Sequence, residues 1–564
     1  MCGIAGLLNY RNTVDLKELD LFTDSLAHRG PDGRGTFTDR NLGLGHRRLS
    51  ILDISEKGKC PMPYGGEDGR RYWITYNGEV YNFLELKKEL SALGYRFQSE
   101  TDTEVILASY IEWGSNCLYK FNGMWAFAIW DCIERKLFLS RDRFGVKPLY
   151  FYFDGERFAF ASEIKSFPVL AGFQPAMNES LIPKIISNSY SYEGTNTETI
   201  MKGVYRLPGG HNLTVKEDGS YNVSKWWDTK EHLVSVPSGY SGQVEGFKEL
   251  FMDSVRLRTR SDVPIGTCLS GGIDSSAVAS SLAWNYKNNV NGMDRATSQW
   301  QNVFIAEFPG SAIDEKKYAD IVVNSIGSPA YYSTFNDSYL DNIVDTVWAT
   351  EDVYGGLALP VWFIYKSLRK KNIVVSLDGH GADELLGGYT WYLDTPANQL
   401  NDKLYEDFHY TLLPAILRNF DRNSMAHGVE VRMPFMDHRL VSYAFSLPAE
   451  AKVGGGFTKR IVRDSMKGIV SEKILNRRSK IGFNSPMIEL FNGRMQKLID
   501  VVLNHPLWLE SPYWNGRKLK AHVMEKTRSR AWSMKDWGET LQIWTFMNVV
   551  IWHMLFVERK TDLN

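Results

Sequence analysis

VPIGTCLSGGIDSSAVASSLAW, residues 263–284, reads as a short apolar strand, a glycine turn and an apolar helix. A brief apolar run closed by turn residues suits a strand buried on both faces, as in a parallel sheet. The same unit recurs downstream. NVFIAEF at 302–308 precedes a helical pattern through Tyr318, Ile321 and Val322, and IVVSL at 373–377 leads into a second glycine-rich turn. Strands alternating with helices predict a doubly wound parallel α/β sheet, whose ligands lie beyond the carboxyl ends of the strands. After about residue 395 helical patterns dominate.

Upstream the pattern differs. YWITYNGEVY (72–81), MWAFAIWD (124–131), KLFLSRD (136–142) and PLYFYFDGERFAFA (148–161) are aromatic and β-branched runs broken by Asn-Gly and Asp-Gly. They predict antiparallel strands. Leu86, Leu90 and Leu93 share one helical face between two of them. The first half is therefore expected to be an α+β domain, with antiparallel sheets sandwiched between helices. Gly, Pro, Ser and Asn concentrate at 208–222 and 234–243, with a turn at Asp218-Gly219. We place a first domain at 1–212, a linker at 213–240 and a second domain at 241–564, since 564 residues exceed what a single core supports.

Sixty-five basic and 66 acidic residues give a net charge of −1, which offers no long-range attraction to nucleic acid or an anionic membrane. Hydrophobic residues make up 43% without low-complexity tracts, enough for packed cores throughout. Five cysteines, none in C-x-x-C spacing, argue against a disulfide framework or a zinc site. The start lacks the basic and apolar regions of a secretory signal. The apolar stretch from Leu541 to Phe556 is broken by Gln542, Thr545, Asn548 and His553. It is also shorter than the roughly 20 residues of a spanning helix. A cytoplasmic protein without nucleic-acid or membrane partners is expected.

Removing Met1 would leave Cys2 with a free α-amine beside its thiol, and an amine of pKa about 8 can take the thiol proton. On position alone such a cysteine is as readily a small buried hydrophobe. Acyl transfer also needs donors for an oxyanion and groups that grip a charged substrate. Asn77 and Gly78 could supply the donors, Arg48 a clamp for a carboxylate, and Glu79 and Asp102 partners for an ammonium. The plain alternatives are a hairpin turn at Asn77-Gly78 and a helix cap at Asp102.

Ser270-Gly271-Gly272-Ile273-Asp274-Ser275-Ser276 places glycine N–H groups and serine hydroxyls at the start of a helix, where phosphate oxygens are favoured. Asp274 could reach a magnesium ion. No Lys-Ser/Thr pair follows, so the loop is not a Walker A motif. The turn at 376–389, SLDGHGADELLGGY, adds Asp378, His380, Asp383 and Glu384 to the same crevice, and RRSKIGFNSP at 477–486 brings Lys480. A capped helix for Asp383-Glu384, a solvated face for Arg477-Arg478 and a surface position for Lys480 are the alternatives.

Cys2-Gly3-Ile4, HRGPDG (28–33), GHRRLSILD (45–53), YNGEVYN (76–82), TDTEVIL (101–107) and RDRFGVKPLYF (141–151) together resemble the class II glutamine amidotransferase domain. The resemblance implies that Cys2 attacks the side-chain amide of glutamine, that Asn77 and Gly78 form the oxyanion hole, and that Arg48, Glu79 and Asp102 bind the substrate. The second half resembles an N-type ATP pyrophosphatase and, with SMAHGVEVRMPFMDHRL at 424–440, the synthetase domain of glutamine-hydrolysing asparagine synthetases. This implies ATP and Mg2+ as cofactors, with pyrophosphate held at Ser270, Gly271, Gly272, Asp274, Ser275 and Ser276. It further implies an adenosine site at Leu269, Ala306 and Gly379, metal ligation by Asp274 and Asp383, and action of Lys480 near an acyl-adenylate. The partners implied are glutamine and a carboxylic-acid acceptor, in a homodimer.

One position departs from that family. Its usual SGEGSDE is replaced by Asp378-Gly379-His380-Gly381-Ala382-Asp383-Glu384, so His380 stands where a glutamate is thought to accept a proton from the attacking nitrogen. A neutral imidazole can also accept one. Losing a carboxylate opens the acceptor to acids other than aspartate, such as a sugar acid or a specialised metabolite. Intramolecular closure, as in β-lactam synthetases, disagrees with an intact Cys2 site, and a non-catalytic glutamine or nucleotide sensor disagrees with retention of both sites. Ammonia passing between sites needs a dry passage. MWAFAIW could line it, although a sheet core is the simpler use.

Overall fold

The computed structural model describes residues 2–66, 70–290, 292–300, 302–479, 482 and 485–560. Lys480 lies outside them. Among the described residues, twelve strands build the first half: β1 Gly3–Asn9, β2 Gly33–Asp39, β3 Leu42–Arg48, β4 Met62–Tyr64, β5 Tyr72–Val80, β6 Gly123–Asp131, β7 Lys136–Arg141, β8 Tyr150–Phe153, β9 Arg157–Ala161, β10 Val204–Arg206, β11 His211–Lys216 and β12 Tyr221–Lys225. They form two six-stranded sheets, in orders β10-β8-β9-β1-β3-β2 and β12-β11-β7-β6-β5-β4, with every pairing antiparallel.

The central strands, such as β1 and β6, are buried on both faces, which explains their unbroken hydrophobic runs, while the edge strand β12 is exposed. In β6, Ala126, Ala128 and Trp130 face the other sheet, where they meet Ile4, Leu8 and Leu44. Trp125, Phe127 and Ile129 face outward against Leu86, Leu90 and Val105 of the helices Phe83–Ala92 and Asp102–Trp113. MWAFAIW is therefore the centre of a helix–sheet–sheet–helix sandwich. Leu93 does not join Leu86 and Leu90: it is the C-cap of its helix and 54% exposed.

The stretch expected as a linker from residue 213 differs in structure. Residues 211–225 are the hairpin β11–β12, turning at Asp218-Gly219, and β11 pairs with β7. Trp226 and Trp227 pack into the same core, so continuous structure of the first half extends past 212. A Gly- and Asn-rich composition marks turns equally well inside a sheet and between domains.

Among the described residues, five parallel strands organise the second half: β13 Ile265–Cys268, β14 Val303–Glu307, β15 Ala330–Thr334, β16 Val375–Leu377 and β17 Glu430–Arg432, in order β15-β14-β13-β16-β17. The direction of winding reverses between β13 and β16. That reversal splays the loops leaving the two strands and opens a crevice at their carboxyl ends. Both glycine-rich turns leave those ends. The late apolar segment forms the helix Trp537–Phe556, whose Trp544, Val550 and Trp552 are fully enclosed in a core with Ile343 and Val347. Among the described residues no helix is long and apolar enough to cross a membrane.

Lys452, a buried cation of this half, opposes folding when it is charged. Lys452 is buried with its Nζ donating to Asn401 Oδ1 at 2.7 Å, and burial pushes its pKa down to about 7. An unfolded lysine titrates near 10.4, so the unfolded chain binds more protons between those values. The penalty is full below pH 7 and fades as pH rises toward about 10. Lys452→Met should therefore stabilise the fold by a few kcal/mol at pH 6–7, with the gain shrinking in alkali; a pH series of denaturant melts would show it. A gain independent of pH would assign the effect to packing instead.

Candidate active sites

Cys2 immediately precedes β1, and its backbone N–H donates to Asn77 Oδ1 at 3.0 Å. Asn77 lies inside β5, opposite Ala126, so Asn77-Gly78 is not a hairpin turn. Its side-chain Nδ2 is buried and has no hydrogen-bond partner among the described residues. A buried unpartnered donor costs free energy unless something accepts from it. Gly78 is required by proximity: a Cβ there would stand 2.2 Å from the Met124 carbonyl oxygen. The Cys2 carbonyl accepts from Arg29 Nε at 3.1 Å. Burial pushes the Cys2 thiol up, with Arg48 pulling partly the other way, so thiolate formation needs a base.

The other residues expected around glutamine are close-packed but already engaged. Arg48 donates to the carbonyls of Ser55 at 2.8 Å and Asp53, fixing the loop after β3. Asp102 Oδ2 accepts from Tyr76 Oη and the Val80 N–H, both at 2.8 Å, while Thr101 is the N-cap of its helix. Asp102 thus pins β5 to that helix rather than capping it. Glu79 faces Arg432 at 3.3 Å, and burial, followed by the Glu430 charge, pushes its carboxyl well up. No direct hydrogen bond joins Cys2 to Arg48, Glu79 or Asp102 among the described residues.

The second candidate site lies at the sheet reversal, beyond the carboxyl ends of β13 and β16. Ser270 leaves β13 and the helix Ile273–Lys287 begins three residues later. Ser270 and Ser275 hydroxyls are 3.1 Å apart, and the Gly272 N–H donates to Ser270 Oγ at 3.2 Å, which holds the loop in a tight turn. Gly271 has φ +77°, and a Cβ there would stand 2.4 Å from Ala319 N. Ser276 Oγ is buried without a partner among the described residues. Leu269, Ala306 and Gly379 stand at or near the carboxyl ends of the neighbouring strands β13, β14 and β16. Gly379 leans on the loop, since its Cβ would lie 2.8 Å from Asp274.

Asp274 and Asp383 come together through a residue that no sequence motif marks. Lys459 Nζ contacts Asp274 Oδ2 and lies 2.6 Å from Asp383 Oδ1, with its side chain 2% exposed. Asp274 Oδ1 is buried without a hydrogen-bond partner among the described residues. Arg477 is also no solvated surface residue: it donates to the Gly271 carbonyl at 3.2 Å and packs over Tyr318 at 3.8 Å. His380 Nε2 lies 3.4 Å from Asp378 Oδ2, and its ring sits 3.7 Å from that of Phe420. Asp378 itself accepts from Tyr365 at 2.5 Å and Ser376 at 2.6 Å. Glu384 accepts from Tyr389 Oη at 2.6 Å, and Tyr389 stacks on Trp391 at 4.4 Å.

Comparison with known proteins covers both sites. Residues 1–227 match the model of a glutamine amidotransferase domain, and residues 246–404 and 395–553 match that of asparagine synthase. The glutamine-hydrolysing asparagine synthetase 1 of Bacillus subtilis is 28% identical, over 99% of this chain and 98% of its own length. Asparagine synthetase 3 of the same organism is 31% identical, over 85% of this chain and 86% of its own. A putative asparagine synthetase 2 of Methanocaldococcus jannaschii is 33% identical over 70% of this chain and 76% of its own.

Proposed function

Because this chain belongs to the glutamine-hydrolysing asparagine synthetase family, we propose that it is an ATP-dependent amidotransferase that adenylates a carboxylic acid and converts it to a carboxamide with glutamine nitrogen. The observation that carries this reading is the presence in one chain of the Cys2–Asn77 pair and of a serine–glycine loop at the sheet reversal, beside Asp274, Lys459 and Asp383.

In the first site the α-amine of Cys2, freed by removal of Met1, takes the thiol proton, and sulfur attacks the side-chain amide of glutamine. Asn77 Nδ2 and the Gly78 N–H receive the charge that develops on oxygen. Ammonia leaves, and water releases glutamate. Arg48, Glu79 and Asp102 complete the proposed glutamine pocket. In the second site the acceptor carboxylate attacks the α-phosphorus of ATP and pyrophosphate departs into the loop 270–276. Ammonia then displaces AMP, with His380 proposed to accept the proton and Lys480 to offset phosphate charge. Leu269, Ala306 and Gly379 are the proposed adenosine contacts.

Asp274 and Asp383 suit a magnesium ion: Asp274 keeps one buried oxygen unpartnered among the described residues, and magnesium typically takes one or two carboxylates together with phosphate oxygens. Bound there, it would offset charge on the phosphates. Cytoplasmic residence and a homodimer complete the proposal.

An acceptor larger than aspartate is the second reading, favoured by His380 in place of a carboxylate and by Trp391, 51% exposed yet stacked on the tyrosine that holds Glu384. Open aromatic faces suit ring-bearing acids. Incubation with ATP, magnesium, glutamine and a panel of acids, aspartate included, should release pyrophosphate and AMP with one acid class. Formation of ADP and phosphate would overturn the mechanism, and full activity with aspartate would remove the second reading.

A further inference from the structure

Six charged side chains close a ring across the junction of the two halves. Arg29 Nη1 lies 2.7 Å from Glu163 Oε1 and 2.9 Å from Asp421 Oδ2. Glu163 Oε2 lies 2.6 Å from Lys165 Nζ, and Glu351 Oε2 accepts from the Lys165 backbone N–H at 3.0 Å. Lys165 Nζ stands 3.8 Å from that same oxygen. Glu351 Oε1 is 2.7 Å from Arg422 Nε, and Arg422 Nη1 returns to Asp421 Oδ2 at 2.5 Å. All six side chains are at most 4% exposed. Arg29, Glu163 and Lys165 come from the first half, Glu351, Asp421 and Arg422 from the second, and the charges sum to zero.

A buried ring of this kind is tolerable only when complete, because removing one member strands its neighbours without water. Neither half completes it alone. Arg29 Nη2 donates to Asp421 Oδ1 at 3.3 Å, and its Nε holds the carbonyl of Cys2 at 3.1 Å. The nucleophile's own backbone is thereby tied, through one guanidinium, to a carboxylate 392 residues away. We propose that Arg29 and Asp421 are positioning residues for Cys2: Asp421 of the synthetase half fixes the guanidinium, and the guanidinium sets the thiol against Asn77, so glutamine is hydrolysed efficiently only with the halves docked. This rests on the reading of Cys2 as the nucleophile. The covalent chemistry is unchanged; only the placement of the sulfur depends on the second half.

The test uses the full chain and glutamate release from glutamine, without ATP or acceptor. Asp421→Asn keeps the shape and removes the charge. Arg29→Lys keeps the charge and removes the Nε donor. Both should lower kcat by about tenfold or more with KM within about threefold, since small misplacements of a reacting atom cost rate rather than binding. Asp421→Glu should recover part of the loss. Wild-type kcat in either variant, or a loss confined to KM, would overturn the proposal. If Asp421→Asn does not fold, Arg29→Lys decides alone. Absence of glutamate release from the unmodified chain would instead refute the Cys2 reading on which the proposal stands.

Discussion

Replacing Cys2 by alanine is expected to lower glutamate release by at least about 10³-fold, the scale on which removal of a covalent nucleophile is felt. Pyrophosphate release supported by ammonium chloride and the acceptor should stay within about twofold. The change removes only the sulfur. The backbone bonds of Cys2 to Asn77 and Arg29 persist, and β1 keeps its pairing with β3 and β9, so the first half has no reason to unfold. The second site loses nothing, because its loop, carboxylates and lysine all come from residues beyond 260. Supplied ammonia bypasses the missing step. Burial raises the thiol, and a free α-amine ordinarily has a pKa of about 8, so wild-type glutaminase should also quicken as pH rises from 6 to about 8. Glutaminase that survives in the alanine variant would exclude Cys2 as nucleophile. Loss of the ammonium-supported reaction alongside it would mean that the two sites are not separable.

What makes these sites legible in the sequence is local geometry. A glycine at +77° and serines that hydrogen-bond within five residues leave a short motif, so the order of residues in 270–276 is enough to mark a tight strand-to-helix loop, the geometry expected of the proposed phosphate site. Strands buried on both faces, such as β6, announce themselves as unbroken apolar runs. What escapes a reading of the sequence depends on distant parts of the chain. Lys459 gains its place only when the segment after residue 452 folds back over Asp274, 185 residues away. Arg29 and Asp421 are joined only by tertiary contact. The hairpin β11–β12 is hidden for another reason: turn-forming composition does not say whether the strands on either side belong to one sheet. Asn77-Gly78 shows the converse, since its turn-like pair is the middle of a strand, with glycine demanded by a crossing carbonyl.

Lys459→Gln carries the second large effect, on the opposite reaction. Its ammonium bridges Asp274 and Asp383, whose carboxylates are 16% and 20% exposed. Without it two negative groups would face each other beside a loop proposed to take a polyphosphate. Truncating one partner of a buried charge pair commonly costs about 2–5 kcal/mol, and each 1.4 kcal/mol is about tenfold. Pyrophosphate release should therefore fall by about 30-fold or more, equally with glutamine and with ammonium as nitrogen source. Glutaminase should be untouched, because Cys2, Asn77 and Arg29 contact none of these groups. Two carboxylates released from their lysine also hold a divalent cation more tightly, so half-saturation by magnesium should move to lower concentration even as the maximal rate drops. A lysine that only props the fold would instead lower the melting temperature and both activities together, with magnesium dependence unmoved. Rate loss with tighter magnesium dependence and intact glutaminase is the pattern that places Lys459 in the adenylating site; an unchanged rate of pyrophosphate release removes it from there.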